Sequence, residues 1–588
     1  MTPHSSSAPS SRPPNPDLSP PGITRNLTAE AMMTAARWPN ATPQLVLALS
    51  GVLTASRRFG EAYHFFHELA GQRPDQPLLA AVAGSFRARL PGRIGEAVNT
   101  LDTAVAALPG LPNYFRGLVL AELPPEAGRT GDAVADLERV LALGDAFPIG
   151  PRRGAYRALA RAYELLGRTE DAAAARRKAG LDAQPDLPPL STDYWVNERD
   201  GFRFAPRRFR ELAEGVHVTQ GFGFGEIGFV VTDSSLVVID AGGTNEQARA
   251  ALRAMREISD LPVSHVILTH GHWDHIGGVD ELRGPGVEVI AQAGFAAEVE
   301  AQNAGFVPWT RFLPAGAGHR HDVVPDRLIG EPESLTVGGV DIRLLPVHGG
   351  ETDDALLVHL PGRDVVFVGD ILMPHLGAPF FAEGSAEGLL DTLRLLDDLG
   401  PALLVHGHAP LTAAFTPVAL AGLRPALEDL YRVVRGDITA GRTVHDILDR
   451  NHMPDVLRSH PASVLPYILL RDNVVRRVQR QHTGYWQPDL DSVDPVSPKE
   501  WTAVLELLSG GKADVYTDTI ETLLERDDLA PALRVADAAL QSHPGSATLA
   551  ELRRRTLLRL VERHQQTAPF KFVVYSELAD LSVPEMTG

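Results

Sequence analysis

The sequence contains no cysteine, and this absence excludes several kinds of chemistry. Disulfide bonds, thiolate nucleophiles and cysteine metal ligands are impossible, so any metal ion must be held by histidine and carboxylate side chains. No apolar run approaches the roughly 20 residues that a membrane-spanning helix needs. The N-terminus also lacks the basic and apolar segments of a secretory leader. We therefore expect a cytoplasmic protein without a membrane span.

Positive charge is also scarce. Lysine and arginine number 55 against 74 acidic residues, which gives a formal net charge of −19. Nucleic-acid-binding domains are usually basic, so we expect no nucleic-acid partner. The 588 residues, 44% of them apolar, are too many for one hydrophobic core, and several globular domains are expected.

The first third of the chain repeats itself. Similar segments place Ala62, Ala97, Ala133 and Ala172 at spacings of 35, 36 and 39 residues. A period near 34 residues, with small residues where helices meet, is typical of stacked helical hairpins and resembles tetratricopeptide repeats. Such repeats offer a concave surface for a protein partner. The alternative is a packing module that covers a neighbouring domain or forms a dimer interface.

Changes in composition divide the chain into four parts. The first residues are rich in serine and proline, as in disordered tails. A proline-rich break at 185–189 follows the repeats, and after it buried strand patterns alternate with helices. From about residue 417 the pattern is helical again. We therefore predict a disordered tail, helical repeats, a catalytic domain and a C-terminal helical domain, bounded at 1–25, 26–185, 200–425 and 426–580.

The strongest signal for function is a cluster of polar residues that follows a predicted strand at Val263–Leu268. Within six residues the chain presents His270, His272, Asp274 and His275. Burying three imidazoles and a carboxylate together is costly unless they bind a metal ion. Imidazole and carboxylate groups are common ligands of zinc and related metals. The cluster therefore predicts a metal site.

This motif resembles that of the metallo-β-lactamase superfamily, and two later segments are similar to it as well. Val365–Asp370 resembles the segment whose aspartate bridges two metals, and residues 404–410 resemble the final histidine loop. His408, which follows Gly407, is the better match to the last ligand, and His406 is the alternative. The resemblance implies an α+β chain with an αββα sandwich, flanked here by helical domains.

One further ligand can be located by its spacing from the bridging aspartate. The superfamily usually has a histidine about 19 residues earlier, which corresponds to Glu351 here. The alkyl sulfatase branch uses a carboxylate at this position, so we prefer Glu351 to the nearby His348. The resemblance then implies two zinc ions, with iron or manganese as alternatives. The implied ligands are His270, His272 and Glu351 for one ion, Asp274, His275 and His408 for the other, and Asp370 as the bridge.

The C-terminal part also resembles the alkyl sulfatases, through their dimerisation domain. The similar segments include Pro466-Tyr467, Arg471–Val474 and Gly484-Tyr485-Trp486. A family member would be a homodimer. The chain departs from the family in having Asp370 where the family has glutamate, and in lacking a sulfate-binding arginine just after it. We also expect no counterpart of the family's sterol-carrier-like C-terminal domain.

Other residues near the motifs are candidates for supporting roles. We predict Asp274 and Asp370 to act in catalysis together with His375, which follows Asp370 by five residues, within reach of a leaving group. Asp240, which ends a core strand, is predicted to orient the metal loop, and Trp273 to pack beneath it. Candidates for substrate binding are His348, His321, Arg320 and Arg471, with His375.

Three hypotheses about function follow from these residues. The first is a dimeric two-metal hydrolase that uses an activated water on a sulfate ester or another small anionic ester. The second keeps the same metal site but gives it a thioester, lactone or other ester, which the missing arginine favours. The third is a scaffold whose repeats bind a protein partner and whose metal site is vestigial.

Overall fold

The computed structural model describes residues 24–144, 147, 149–181, 188–204, 206–374, 384–483 and 493–584. The predicted disordered tail lies almost entirely outside these residues, as do most of the proline-rich break and Gly484-Tyr485-Trp486. Within the described residues, helices form both ends of the chain and two β-sheets lie between them.

The N-terminal part is helical, and its helices pack as neighbouring pairs. The repeat alanines Ala62, Ala97, Ala133 and Ala172 are all buried where these helices meet, because only a small side chain permits such a close approach. The assignment to tetratricopeptide repeats stays a prediction. The helices of this part are α1 (Leu27–Ala36), α2 (Pro43–Ser56), α3 (Phe59–Gln72), α4 (Pro77–Arg87), α5 (Ile94–Ala107), α6 (Leu111–Leu120), α7 (Thr130–Leu141), α8 (Ile149–Leu165) and α9 (Thr169–Ala179).

A β-hairpin and a seven-stranded sheet follow. The hairpin consists of β1 (Tyr194–Asn197) and β2 (Gly201–Phe204). The sheet has the order β3 to β9, and its pairs are antiparallel from β3 to β6 and parallel from β6 to β9. Its strands are β3 (Arg208–Ala213), β4 (Val216–Gln220), β5 (Gly228–Val231), β6 (Leu236–Ile239), β7 (Val263–Ile267), β8 (Glu288–Gln292) and β9 (Arg327–Ile329).

The second sheet has five strands in the order β10 to β14. Its pairs are antiparallel until β13, which pairs in parallel with β14. A turn at residues 361–364 joins β12 to β13, and Asp364 there has a φ of 57°. The strands are β10 (Glu333–Val337), β11 (Val340–Pro346), β12 (Leu356–Leu360), β13 (Val365–Gly369) and β14 (Leu403–His406).

The two sheets pack face to face, and helices cover their outer faces. Ile239 and Ile267 of the first sheet share a buried core with Phe367 of the second. Because alternate side chains of a strand point to opposite faces, the other face of each sheet packs against helices. This is the expected α+β sandwich. Its helices are α10 (Asn245–Arg256), α11 (Trp273–Ile276), α12 (Val279–Leu282), α13 (Phe295–Ala304), α14 (Ala386–Leu399) and α15 (Ala409–Ala414).

The C-terminal part is helical and returns to both earlier parts. Its penultimate helix packs against α2, and Val583 pairs with Val196 of the hairpin. Among the described helices, none has the length and apolar character needed to cross a bilayer. The helices are α16 (Pro417–Thr439), α17 (Val444–Asp449), α18 (Pro461–Thr483), α19 (Pro498–Ser509), α20 (Ala513–Glu525), α21 (Leu529–Ser542), α22 (Ala547–His564) and α23 (Pro569–Leu578).

Candidate metal centre

The loop after β7 presents the predicted ligands at one edge of the sandwich. His270 and His272 precede the short helix α11, and Asp274 and His275 lie within its single turn. All four side chains are buried. Two glycines, Gly277 and Gly278, follow Ile276 because the loop passes close to neighbouring backbone there. A Cβ on Gly277 would lie 2.1 Å from the Gly243 carbonyl oxygen, and one on Gly278 would lie 2.2 Å from that of Ala241.

One group of potential ligands consists of His270, His272 and Glu351. Glu351 lies between β11 and β12, and its Oε2 is 3.2 Å from His272 Nδ1 and 3.6 Å from His270 Nε2. His348, the alternative, is exposed, and its Nδ1 is 3.0 Å from the Asp353 carbonyl oxygen. The structure therefore brings Glu351, and not His348, to the two histidines.

A second group consists of Asp274, His275 and His408. Asp274 Oδ2 lies 3.2 Å from His275 Nε2 and 3.5 Å from His408 Nε2. Asp370, which follows β13, is 3.5 Å from His275 Nε2 and 2.9 Å from His408 Nε2. Asp370 also forms a third group with His270 and His275, so it lies between the other two groups.

The hydrogen bonds of these side chains show whether the site fits metal ions. His270 Nε2, His275 Nε2 and Asp370 Oδ1 are buried and have no hydrogen-bond partner among the described residues. These three residues form one of the groups whose ligand atoms lie within 4.8 Å of one another. Leaving a buried polar atom unsatisfied costs about 1–3 kcal/mol. Convergence of such atoms, all of types that bind transition metals, fits a metal centre.

The charges at the site also favour cations. Burial would raise the pKa of the Asp274 carboxyl, but the His275 imidazole outweighs it and the pKa is lowered. Burial would also raise the pKa of the Asp370 carboxyl, but His408 and His275 outweigh this effect and hold the pKa well below its usual range. Both carboxylates are therefore anionic at neutral pH, and cations will be attracted to them.

Residues behind the ligands fix their orientation. Asp240, at the end of β6, accepts hydrogen bonds from the Thr269 amide (2.7 Å) and hydroxyl (2.8 Å), and its Oδ2 is 3.1 Å from His275 Nδ1. His408 Nδ1 donates to the Phe224 carbonyl oxygen at 2.9 Å. These contacts turn the Nε2 atoms of both histidines towards the centre. Asp240 thus lies where the sequence analysis expected it.

Among the described residues, His406 belongs to none of these groups of potential ligands. Its Nε2 donates to the Phe415 carbonyl oxygen at 3.1 Å. Burial lowers the pKa of His406 to about 4, so this imidazole is neutral at physiological pH. His408 is the histidine of this loop that lies with the other ligands.

A cavity of about 480 Å³ opens above the ligand groups. Its floor contains His272, Asp274, Glu351, Asp370 and His408. In the described part of the chain, no lysine, arginine, serine or threonine lines it. The walls are mainly aromatic, formed by Phe224, Trp273, Phe306, Trp309, Phe312 and Phe570.

Two of these aromatic residues were not expected in the wall. Trp273 does not simply pack beneath the loop, because its ring stacks on Phe224 (centroids 5.9 Å apart) and faces the cavity. Phe570 belongs to α23, far along the chain, and reaches the cavity through its contact with Phe312. No local pattern marks Phe570, since this contact exists only in the folded chain.

The predicted substrate-binding residues are not found at the cavity wall. Arg471 is buried in α18 and donates to the carbonyl oxygen of Leu27, at the N-terminal helices. Arg320 and His348 are exposed, and His321 is held through its backbone by Asn303. In the described part of the chain these four residues do not line the cavity, and their role in substrate binding stays a prediction. His375, the fifth candidate, lies outside the described residues.

Comparisons with known proteins agree with this geometry. The model of the Metallo-beta-lactamase superfamily matches residues 220–408. The alkyl/aryl-sulfatase BDS1 of Saccharomyces cerevisiae is 24% identical over 347 residues, which are 52% of this chain and 53% of that protein. The linear primary-alkylsulfatase of a Pseudomonas species is 23% identical over 338 residues, 50% of this chain and 62% of that protein. The chain thus spans little more than half the length of these relatives.

Two further similarities concern another enzyme and a solved structure. The hydroxyacylglutathione hydrolase of Cereibacter sphaeroides is 28% identical over 242 residues, covering 39% of this chain and 83% of that protein. The stereoselective inverting sec-alkylsulfatase Pisa1 from a Pseudomonas species superimposes with a TM-score of 0.54 at 19% identity, over 64% of this chain and 66% of that one. At that identity the likeness shows the fold alone. Residues 220–408 of this chain are therefore a metallo-beta-lactamase domain.

Proposed function

We propose that the chain is a metal-dependent hydrolase that cleaves sulfate esters of apolar alcohols. The donor set fits two metal ions, zinc first, with iron or manganese as alternatives. His270, His272 and Glu351 would hold one ion, Asp274, His275 and His408 the other, and Asp370 would bridge them. When bound, the ions would lower the pKa of a water molecule and polarise the ester.

Glu351 is the observation that carries the choice of substrate class. A carboxylate at this position distinguishes the alkyl sulfatase branch, which the chain resembles, from superfamily members with histidine there. In the structure this carboxylate, and not His348, lies 3.2 Å from His272. The named relatives that match half of the chain are alkylsulfatases, which supports the same choice.

The cavity walls explain how the substrate would be oriented. Aromatic side chains such as Phe224, Phe312 and Phe570 would bind the apolar alcohol portion and exclude water around it. The anionic sulfate would then face the donor groups on the floor, where bound cations would balance its charge. No described residue of the cavity offers a hydroxyl or amine nucleophile, so water is the reactant. The products are the alcohol and sulfate.

A second candidate is hydrolysis of a thioester. The similarity to hydroxyacylglutathione hydrolase covers 83% of that protein, a larger share than for the alkylsulfatases. The described part of the cavity also contains no arginine or lysine that would bind a sulfate directly. These two observations favour an ester without a sulfate group, and the experiment below includes such a substrate.

We also propose that the chain forms a homodimer through its C-terminal helices. Helix α19 exposes Trp501 (48%), Leu507 (83%) and Leu508 (76%). Monomeric proteins rarely leave such an apolar face in water, and it marks an interface. Light scattering should give twice the chain mass of 63.4 kDa, and Leu508→Lys should shift the protein towards monomer. A monomeric wild-type protein would contradict this assembly.

The substrate class is tested by measuring products from purified, metal-loaded protein. Primary and secondary alkyl sulfates are assayed for sulfate release by ion chromatography, and lactoylglutathione is assayed in parallel. We expect sulfate release that is lost in Asp274→Ala and kept in Asp280→Ala, a matched control on the exposed side of the next helix. Thioester cleavage without sulfate release would favour the second candidate.

A further inference from the structure

A second cavity, of about 270 Å³, lies far from the metal site, between the N-terminal helices and α22. Every second helix of the repeats contributes to it, namely α2, α4, α6 and α8. The opposite wall is formed by Glu562 of α22 and by Gln565 and Gln566 after it. Gln565 also accepts from the Ser191 amide, and Gln566 donates to the Ser191 carbonyl oxygen, so this wall is fixed in place. The inner face of the repeats is thus a bounded cavity.

The two acids that line this cavity are paired with arginines outside its lining. Of the two acids, Glu562 pairs with Arg57 (2.9 Å) and Glu122 with Arg161 (3.3 Å). No carboxylate of the described residues lies within 4 Å of the Arg157 guanidinium, whose one hydrogen bond goes to the Leu190 carbonyl oxygen at 3.2 Å. A guanidinium has five N–H donors, so most donors of Arg157 remain available to a ligand.

The position of Arg157 makes its charge effective. Burial lowers the pKa of Arg157, although a guanidinium in a protein stays protonated at neutral pH. Arg89, whose guanidinium lies 5.6 Å from the centre of the Phe59 ring, adds a second positive charge to the lining. Glu122 and Glu562 act on Arg157 at longer range than an ion pair, so an anion that enters the cavity would give this guanidinium a direct partner.

The rest of the cavity lining is largely apolar, so it favours an anion with an apolar body. Phe86 and Phe115 line the cavity and are buried, and Leu47 and Val119 lie beside them. Drug-sized ligands occupy sites from about 300 Å³ upwards, so this cavity takes a somewhat smaller molecule. A carboxylate suits Arg157 because it pairs with a guanidinium group through two parallel hydrogen bonds.

We propose that this cavity is a binding site for a small monocarboxylate with an aromatic or short aliphatic body, held by Arg157. The site is separate from the metal centre and shares no residue with its cavity. It gives the N-terminal helices a function that does not require a protein partner. It also stands whether or not the metal site hydrolyses sulfate esters.

The proposal is tested by titrating the full-length protein with 4-bromobenzoate in a calorimeter. We expect saturable binding at one site, and none with 4-bromobenzyl alcohol, which has the same ring without the charge. Arg157→Gln should weaken binding by about tenfold or more, because it removes a charge-assisted pair. Arg139→Gln, an exposed arginine on α7, removes the same charge outside the cavity and should change nothing.

A second variant and the bromine atom locate the site independently of Arg157. Ser85→Leu fills the cavity from α4, where the serine hydroxyl donates to the Val82 carbonyl oxygen of its own helix, and should abolish binding. Anomalous scattering from a crystal soaked with 4-bromobenzoate should show bromine beside Phe86. Absence of binding, equal binding of the alcohol, or bromine only in the metal cavity would overturn the proposal.

Discussion

Replacing Asp240 with asparagine should weaken metal binding, although Asp240 is not itself one of the proposed metal ligands. Asp240 Oδ2 lies 3.1 Å from His275 Nδ1, and His275 Nε2 is directed at Asp274 and Asp370. As a pure acceptor, the carboxylate keeps the proton on Nδ1, and Nε2 is left free for a metal ion. An amide group there can present a donor to Nδ1, which favours the tautomer with its proton on Nε2.

The expected size of this effect follows from comparable metal sites. Residues that orient a ligand histidine typically contribute about 10- to 100-fold to metal affinity, or roughly 1.4–2.8 kcal/mol. The backbone should not be disturbed, because Asp240 has a φ of 60° and asparagine is one of the few residues that tolerate such values. We therefore expect weaker binding of one ion by the Asp240→Asn protein, with little change in its unfolding temperature.

A chelator competition with zinc, followed by absorbance, measures this affinity. Asp364→Asn is a matched control, because Asp364 also has a positive φ (57°) but lies exposed in the turn before β13. Its zinc affinity should equal that of the wild type. If Asp240→Asn bound both ions as tightly as the wild type, the reasoning about the His275 tautomer would be refuted.

Three further predictions concern other residues. Glu351→Gln should lose one metal ion while His348→Gln keeps both, as measured by mass spectrometry of bound metal; the opposite order would mean that His348 is the ligand. Phe570→Ala should raise KM for short alkyl substrates more than for long ones, because it removes a cavity wall, and unchanged KM values would exclude that role; it also costs about 3–5 kcal/mol of stability. His406 is buried and neutral with a pKa of about 4, below the usual 6.5 or so of the unfolded chain. The free energy of unfolding that neutral His406 contributes is therefore present above pH 6.5, and roughly 3 kcal/mol of it is lost as pH falls towards 4. Denaturant titrations should show that His406→Gln loses less stability than wild type over this range; parallel pH profiles would contradict this.

The metal site could be predicted largely from the sequence because its information is local. Four potential ligands lie within six residues after one strand, and the spacing from Asp370 selects Glu351 over His348. Loop residues at the ends of neighbouring strands meet in space, so the predicted ligands from four separate segments lie together in the structure. The choice between His406 and His408 needed the structure, which shows where each ring is directed.

The strands were predicted where apolar residues run continuously, as in Leu236–Ile239 and Val365–Gly369. Strands such as β3 (Arg208–Ala213) were not predicted, since this strand lies at a sheet edge, is only partly buried and has no apolar run. The apolar periodicity predicts a helix over Glu246–Ile258, and the observed helix α10 spans Asn245–Arg256, with its first turn capped by the Thr244 side chain. Element type was therefore more predictable than element boundaries.

The cavity walls could not be predicted, because they are built by contacts across the whole chain. Phe570 is held in position by α23. Arg311 fixes this C-terminal segment by donating to the carbonyl oxygen of Ser576 at 3.2 Å and to the side chain of Asp580 at 2.7 Å. Arg311 is itself buried beside Phe312. Arginine and phenylalanine at these positions carry no sequence signal of their own, so only the folded chain reveals this wall.

The most direct test of the central claim joins metal content to activity in one preparation. The protein is stripped with a chelator, reconstituted with increasing zinc, and assayed at each step for bound metal and for sulfate released from an alkyl sulfate. We predict saturation at two ions per chain and sulfate release that rises with occupancy and is absent from the stripped protein. Sulfate release that persists without metal, or its absence from protein with both ions bound, would contradict the account.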